Sequence, residues 1–384
     1  MEEWSGSRRW NPFNSYKLLA HVYRWRLIER GKPAPQPVLV TVDPINACNL
    51  ACPWCNAGYI LDRRNRAMNR SALLELAEGL SRWRGSPEWP RGVESVCIAG
   101  GGEPLLHPYI GDFIEACTSR NIEVGVVTNG TRIHEHVEAL SLCTWVGVSV
   151  DAGSEDLYLQ LKGKDRFGRV TENIRLLNEA VKQNGCRLGT ERPGYGVTYK
   201  YLLWNGNARD ILPAVRKAKE LGCRNFHLRP GGIPWDRLPG NRGRLFGPEV
   251  RDELARQISE ARSLEDETFG VYGVTHKFDS LLNRANRFHR CHAVFMTAVF
   301  MPPVEAGRGD FNVGLCCDRR GDGRLEFSEG FTDFAQVERI WGSEAHWAIF
   351  DSLNLKECPR CTYQPHNQIF EHVIQGDSMT YRFI

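Results

Sequence analysis

The feature that most constrains the fold is a regular alternation of short apolar segments and longer amphipathic segments between residues 38 and 230. The short segments are rich in β-branched residues, as buried strands are, and the longer ones carry apolar residues at helical spacing. Such an alternation predicts parallel strands joined by right-handed crossovers. We therefore expect an α/β fold, a partial (β/α)6 TIM-like barrel; a doubly wound sheet is the alternative, but no G-x-G-x-x-G motif supports it. The predicted strands cover residues 38–43, 92–100, 122–130, 144–153, 196–204 and 224–230.

Both ends of the chain depart from this alternation. Residues 1–37 predict an N-terminal helical extension, and a segment rich in Gly, Pro and Arg follows Arg229. We therefore expect the barrel to span residues 38–230, a connecting helical segment 231–290, and a smaller C-terminal α+β domain 291–384. Two helices are predicted in the connecting segment, over residues 248–263 and 275–288.

Charge and hydropathy exclude several classes of protein. The 49 Lys and Arg residues against 46 Asp and Glu give a net charge of +3, which predicts neither a nucleic-acid partner nor a membrane partner. No apolar run reaches the roughly 20 residues that span a bilayer. The N-terminus, MEEWSGSRRW, is charged where a signal peptide is apolar. We expect a soluble, cytoplasmic protein.

The 13 cysteines point to metal or redox chemistry, because disulfides are rare in a reducing compartment. Cys48, Cys52 and Cys55 directly follow the first predicted strand. Three thiols with no fourth ligand nearby do not suit a closed zinc site, whereas on a [4Fe–4S] cluster they leave one iron open. The alternatives are three incidentally close buried cysteines, or a zinc site with a distant fourth ligand.

This first loop resembles the hallmark of the radical S-adenosylmethionine (SAM) enzymes, C-x3-C-x2-C with an aromatic residue, here Trp54, before the third cysteine. After the second strand, the segment from Gly100 to Pro104 reads GGGEP and matches the family's G-G-E motif, which holds the SAM amino group. Glycines allow close backbone approach, and a carboxylate accepts from an ammonium. The resemblance implies a cluster on the three cysteines that reductively cleaves SAM to a 5′-deoxyadenosyl radical.

Further SAM contacts are implied by the same resemblance. Asn129 closes the third strand, and Ser149 and Asp151 close the fourth; in the family these ends face the ribose and the carboxylate. Lys162 lies about where related enzymes often use an Arg, although a Lys cannot make the bidentate contact. Helix N-capping is the alternative role for Asn129 and Asp151. The complete expected set is Trp54, Gly101, Gly102, Glu103, Asn129, Ser149, Asp151 and Lys162.

The C-terminal cysteines resemble the auxiliary-cluster region called SPASM, or its shorter twitch form. There a cysteine precedes a hairpin, another ends it, and a C-x2-C follows a helix. Because no cysteine follows Cys361, we expect one auxiliary [4Fe–4S] cluster rather than two. The expected ligands are Cys291, Cys316, Cys358 and Cys361, with the choice between Cys316 and Cys317 open. A four-cysteine zinc site is the alternative.

The implied activity is that of a radical SAM oxidoreductase. Twitch-type relatives include dehydrogenases and epimerases of aminocyclitol and aminoglycoside biosynthesis. Many peptide maturases carry a leader-binding domain, for which the 37 residues before the first strand are too few. We therefore expect a small carbohydrate-like substrate whose secondary alcohol becomes a ketone, and a flavodoxin- or ferredoxin-type reductant. The alternatives are epimerisation and peptide modification.

Two residues are expected to act on the substrate. Arg229 alternates with Leu228 on the sixth strand, so its side chain is predicted to face the barrel interior, where it would touch SAM or substrate. Cys317 is the spare thiol expected near the substrate, and it would donate the hydrogen atom in an epimerisation.

Overall fold

The computed structural model describes residues 15–375, apart from residues 56, 64–65, 90–91, 189–195, 205, 232–247, 274–286, 304, 306, 328–329 and 359–360. Within them, the strands are β1 (Leu39–Val42), β2 (Ser95–Ile98), β3 (Glu123–Thr128), β4 (Trp145–Ser149), β5 (Val197–Leu203), β6 (Asn225–Pro230), β7 (Gly270–Gly273), β8 (Thr297–Met301) and β9 (Asn312–Gly314). They form one sheet in the order β7-β6-β5-β4-β3-β2-β1-β8-β9. Every pair is parallel except β8 with β9.

The α-helices of the described residues are α1 (Val22–Trp25), α2 (Gly58–Arg63), α3 (Arg70–Arg82), α4 (Ile110–Thr118), α5 (Val137–Ser141), α6 (Glu155–Lys162), α7 (Phe167–Leu188), α8 (Ile211–Glu220), α9 (Pro248–Arg262), α10 (Phe334–Ile340), α11 (Glu344–Ser352) and α12 (Gln364–Ile369). A 3-10 helix, Ser15–His21, precedes α1, and a π-helical turn, Phe370–Ile374, follows α12. No helix of the described ranges is long and apolar enough to cross a bilayer.

The six predicted strands correspond to β1–β6, which pair in chain order. The reason is visible in their side chains. Alternate residues such as Val96, Ile98, Val146 and Val148 are fully buried in the core that the helices share with the sheet. The predicted α/β class with a partial TIM-like barrel is confirmed by the parallel sheet.

The connecting segment is not only helical, and here the prediction is wrong. Helix α9 lies where the first predicted helix was expected, but residues 270–273 then form β7, which pairs with β6. This strand is short, and its buried Val271 and Tyr272 stand between two glycines, so its apolar run is too brief to read as a strand. The helix predicted over 275–288 falls largely outside the described residues.

The C-terminal region continues the barrel sheet. Strand β8 pairs in parallel with β1, and β9 returns antiparallel to β8. Trp83, directly after α3, makes edge contacts with Phe334 on α10 and with Trp341, at ring-centroid distances of 5.4 and 5.1 Å. Strand pairing and these ring contacts hold the late cysteines against the first strand. The predicted division into domains stays a prediction.

Candidate active site

The first cysteine loop leaves the carboxyl end of β1. Cys48, Cys52 and Cys55 are each partly exposed, and their thiols interact electrostatically with one another. Burial, together with the charges of Cys52 and Cys55, raises the pKa of Cys48 to about 11, and a hydrogen bond from the Leu50 amide opposes the shift. Bound iron favours the thiolate over the thiol. Three coupled, partly exposed thiols in one loop therefore fit a cluster with an open side.

A buried ion pair lies beside this loop. Lys162 on α6 pairs with Asp151, and both side chains are almost fully buried. The Lys162 ammonium also hydrogen-bonds the Cys52 thiol and lies 5.3 Å from the centre of the Trp54 ring. Burial acts to lower the pKa of Lys162, but the Asp151 carboxylate more than offsets this and raises the pKa. The structure thus brings three predicted SAM contacts together at the cysteine loop, while their roles stay predictions.

Asp151 adopts a backbone conformation that non-glycine residues rarely take, with φ of +63°. Its Oδ1 accepts a hydrogen bond from the Leu202 amide at 2.6 Å, and its carbonyl accepts one from Asn207 at 3.0 Å. Contacts from the end of β5 therefore hold the residue in place. Strained residues fixed in this way cluster at functional sites.

Tyr158 is a residue that the sequence reasoning missed. Its side chain is fully buried one helical turn before Lys162, and its hydroxyl has no hydrogen-bond partner among the described residues. Burial raises the pKa of Tyr158 to about 12; the charge of Lys162 opposes this shift, and that of Cys52 adds to it. Buried hydroxyls normally have partners. An orphaned one beside the cysteine loop fits a polar ligand such as SAM.

The GGGEP loop is fastened to both neighbouring loops. Glu103 is buried; its carboxylate accepts from the Thr128 hydroxyl at 2.6 Å, the Asn129 amide at 2.7 Å and the Leu105 amide at 3.1 Å. Its backbone amide donates to the Ala47 carbonyl at 2.7 Å. Burial raises the pKa of Glu103, and these hydrogen bonds oppose the shift. The Glu103 amide thus holds the loop before Cys48, and the Glu103 carboxylate holds the end of β3. Contact of the carboxylate with SAM stays a prediction.

Asn129 ties the end of β3 to the cysteine loop. Its amide donates to Asn49 Oδ1 at 2.7 Å and lies 4.0 Å from the Cys48 sulfur. Its Oδ1 also accepts from the Thr131 amide at 3.0 Å, as in a capping turn. Ser149, by contrast, ends β4 half-buried and in register with Lys200, on the face opposite the helices.

The late cysteines surround one cavity. Asn367 donates to the sulfur of Cys291 at 3.7 Å, and Arg319 donates to that of Cys358 at 3.8 Å. Cys317 is absent from the described cavity lining, which favours Cys316 as the ligand. The lining includes Cys291, Cys316, Cys358 and Cys361, with Ala293, Val294, Leu315, Leu325, Leu353 and Tyr363.

Zinc is the alternative occupant of the late cysteine group, since a structural zinc site also takes four cysteine ligands. In the part of the chain that the structure describes, no group of three or more His, Cys, Asp or Glu residues is arranged to hold a single ion. The choice between zinc and an auxiliary cluster in this cavity stays a prediction.

A second ion pair, also missed from the sequence, joins the two cysteine groups. Arg320 lies 2.5 Å from the fully buried Asp43 at the end of β1, and it donates to the Cys317 carbonyl. Its guanidinium packs against the GGGEP loop, where a Cβ on Gly100 would lie 3.3 Å from Cζ. Both cysteine groups therefore approach the carboxyl end of the same strand.

The two predicted substrate residues lie in different places. Arg229 is half-buried on β6, in register with Leu202. The Cys317 thiol is partly exposed and interacts with Tyr363 and with Cys97 on β2. Cys97 on β2 therefore shares the environment of the Cys317 thiol.

Residues 42–190 match the Radical SAM superfamily model. The match supports the predicted superfamily and the cofactors predicted with it, a [4Fe–4S] cluster and SAM.

Among curated proteins, the chain is similar to a GTP 3′,8-cyclase of Chlorobaculum tepidum, 26% identical over 59% of this chain and 63% of the relative. It is also similar to the mycofactocin maturase MftC of Mycobacterium ulcerans, 28% identical over 39% of this chain and 40% of the relative. A PqqA peptide cyclase of Methylorubrum populi is 25% identical over 51% of this chain and 48% of the relative. The chain thus covers less than two thirds of each relative's length.

Two kinds of solved structure share the fold across most of the chain. SuiB of Streptococcus suis, bound to precursor peptide SuiA, has a TM-score of 0.58 at 15% identity, covering 89% of this chain and 71% of SuiB. Native anSMEcpe with bound AdoMet has a TM-score of 0.54 at 15% identity, covering 88% of this chain and 98% of the neighbour. The expected resemblance to aminocyclitol dehydrogenases finds no support in these comparisons.

Proposed function

We propose that this chain is a radical SAM enzyme with one auxiliary cluster, and that it modifies a peptide. The observation that carries the proposal is the convergence of two cysteine groups on the carboxyl end of β1, joined by Asp43 and Arg320. Cys48, Cys52 and Cys55 hold the SAM cluster. Cys291, Cys316, Cys358 and Cys361 hold the auxiliary [4Fe–4S] cluster.

When bound, the first cluster and SAM supply the 5′-deoxyadenosyl radical that takes a hydrogen atom from an unactivated C–H bond. The protein's own contribution is positioning. The polar side chains beside the cysteine loop are those of Lys162, Asp151 and Tyr158. Glu103 fixes the loops after β2 and β3 relative to Cys48.

A peptide replaces the small carbohydrate as the proposed substrate. MftC is named a maturase, the relative from Methylorubrum populi is named a peptide cyclase, and SuiB is described with a precursor peptide. Nothing in the comparisons supports an amino sugar. A cytoplasmic location and a flavodoxin- or ferredoxin-type reductant stay predictions.

Iron content tests the two cluster sites. Anaerobically reconstituted protein should hold about eight iron per chain, as two cubes. Replacing Cys48, Cys52 and Cys55 by Ala should leave about four and abolish SAM cleavage. Cys143→Ala is the matched control, since this buried thiol donates to the Ala139 carbonyl on α5.

Replacing the four late cysteines by Ala should remove the other four iron, about half of the total. Retention of full iron content after either set of replacements would contradict the ligand assignment. A loss of iron in the control would show that the assay reports folding instead of ligation.

The substrate class is tested by mass spectrometry. Reduced holoprotein and SAM are incubated with short peptides encoded beside the gene and, separately, with an aminoglycoside. A mass change in a peptide supports the proposal, and a change only in the aminoglycoside contradicts it. Deuterated solvent then separates oxidation, which introduces no label, from epimerisation, which introduces one deuterium.

A further inference from the structure

Two buried side chains direct N–H groups at sulfurs of the late cysteine group. Nη1 of Arg319 donates to the Cys358 sulfur at 3.8 Å, and Nδ2 of Asn367 donates to the Cys291 sulfur at 3.7 Å. Arg319 is only 2% exposed, and Asn367 is fully buried. Both cysteines line the same cavity, so the two donors reach it from separate parts of the chain.

The side-chain amide of Asn367 has a single orientation that satisfies its neighbours. Its Oδ1 accepts a hydrogen bond from the Ala293 backbone amide at 2.8 Å, and a backbone amide can only donate. The Nδ2 group is therefore the end of the side chain that faces Cys291. Helix α12 holds the residue in place, because the Asn367 backbone amide donates to the Tyr363 carbonyl at 3.1 Å.

The guanidinium of Arg319 is held through its second terminal nitrogen. Nη1 faces the Cys358 sulfur, while Nη2 donates to Asp322, whose carboxylate is also buried. The same carboxylate accepts from the Arg324 side chain at 2.9 and 3.0 Å. A guanidinium presents its donors in a rigid plane, so the carboxylate at one nitrogen aims the other nitrogen at the sulfur.

The charges of this group of ion pairs balance one another. Arg319 and Arg324 carry two positive charges, and Asp322 and Glu357 carry two negative charges. Glu357 pairs with Arg324 and lies 3.8 Å from Arg319. What reaches the Cys358 sulfur is therefore a directed N–H group and not a surplus of positive charge.

One carboxylate in the cavity acts against the two donors. Asp318 lines the cavity, and its oxygens accept from the Thr362 amide at 2.6 Å and from the Thr362 hydroxyl at 2.7 Å. A negative charge beside an iron–sulfur cluster opposes the addition of an electron. The donors from Arg319 and Asn367 offset this charge.

Hydrogen bonds to the sulfur ligands of an iron–sulfur cluster favour its reduced form, in which the sulfurs carry more negative charge. Such bonds are stronger in a buried site, where the local dielectric is low. A charged donor such as a guanidinium makes a hydrogen bond about twice as strong as a neutral donor does. The larger of the two effects is therefore expected from Arg319.

We infer that Arg319 and Asn367 raise the reduction potential of the auxiliary cluster by donating hydrogen bonds to two of its sulfur ligands. The presence of that cluster rests on the proposed function. Both are positioning residues, since they act through the cysteines and not as ligands. A cluster held in this way accepts an electron more readily than one on the same four thiolates without the donors.

The test measures the midpoint potential of the auxiliary cluster alone, in the full chain. Replacing Cys48, Cys52 and Cys55 by Ala removes the first cluster, so electron paramagnetic resonance during a redox titration reports a single reduced species. The iron content of this parent variant is measured first and should be about four per chain. Added to the parent, Arg319→Met should lower the equilibrium constant for reduction about tenfold. For one electron, this is a fall of about 59 mV in midpoint potential.

Asn367→Asp should also lower the equilibrium constant, by about tenfold, since the new carboxylate still accepts from Ala293 but offers Cys291 no donor. Arg319→Lys should stay closer to the parent value than Arg319→Met, because a lysine keeps the charge and a donor. Arg324→Met is the matched control. It removes the same charge from the same ion pairs, but Arg324 is exposed, so the constant should change by no more than about threefold.

The outcomes separate the inference from the proposed function. Parent-like potentials in both Arg319→Met and Asn367→Asp, with four iron retained, overturn the inference and leave the proposed function standing. An equal fall in Arg324→Met also overturns it, because net charge would then explain the effect. A variant that loses its iron has lost a structural contact, which counts against tuning by that residue. Zinc in place of iron in the parent variant contradicts the auxiliary cluster itself and, with it, the inference.

Discussion

Gly102 is the position where one added methyl group should damage the site most directly. A Cβ there would lie 2.6 Å from the Ile45 carbonyl oxygen and 2.7 Å from the Ala47 nitrogen. These are backbone atoms, which cannot rotate away. The methyl group would also break the hydrogen bond from the Glu103 amide to Ala47, just before Cys48. Overpacking costs about 1–3 kcal/mol and the hydrogen bond about 1 kcal/mol, so we expect Gly102→Ala to lose roughly 2–4 kcal/mol of stability.

The assay compares thermal midpoint and iron content of the anaerobic holoproteins. Gly102→Ala should lower Tm by roughly 2–5 °C and lose iron from the first cluster. Gly168→Ala is the matched control: Gly168 is helical, and its added Cβ meets nothing within 4 Å. The control should be neutral or stabilising by about 0.5–1 kcal/mol. Wild-type Tm and iron content in Gly102→Ala would refute the steric argument.

Three further changes have defined outcomes. Arg320→Gln should lower the free energy of unfolding by about 3–5 kcal/mol, because it leaves Asp43 charged and buried. In a double-mutant cycle, Arg320→Gln combined with Asp43→Asn should lose less stability than the sum of the two single changes. Burial lowers the pKa of His346 from 6.5 to about 3, so only the unfolded state takes up a proton on this residue as the pH falls from 6.5 to 5. The free energy of unfolding of the wild type should therefore drop by about 2 kcal/mol over this range. Denaturation curves of His346→Gln should not show this loss. Burial raises the pKa of Asp210 to about 6, so its contribution to stability should decline as the pH rises from 3.8 through 6, and the Tm of Asp210→Asn should gain on wild type over that window.

The order and direction of β1–β6 could be predicted because each strand is a local run of apolar, β-branched residues between helical segments. The pairing of β8 with β1 could not, since the two strands are far apart along the chain and nothing local specifies their register. Strand β7 was missed for a different reason. Its four residues are too few to show a period, and only its partner β6 makes them a strand.

The cysteines of both groups could be identified because their spacing is a local pattern. The residues around them depend on distances across the sheet. Tyr158 can be recognised as a site residue only when the fold has placed the cysteine loop beside α6. Arg320 can be recognised only when the fold has paired it with Asp43.

The central claim is that Cys48, Cys52 and Cys55 support reductive cleavage of SAM. The most direct measurement is the formation of 5′-deoxyadenosine and methionine after the iron-loaded protein is reduced with dithionite in the presence of SAM. We expect both products in roughly equal amounts, and neither from Cys52→Ala. An iron-loaded wild-type protein that binds SAM but releases no 5′-deoxyadenosine would contradict the account.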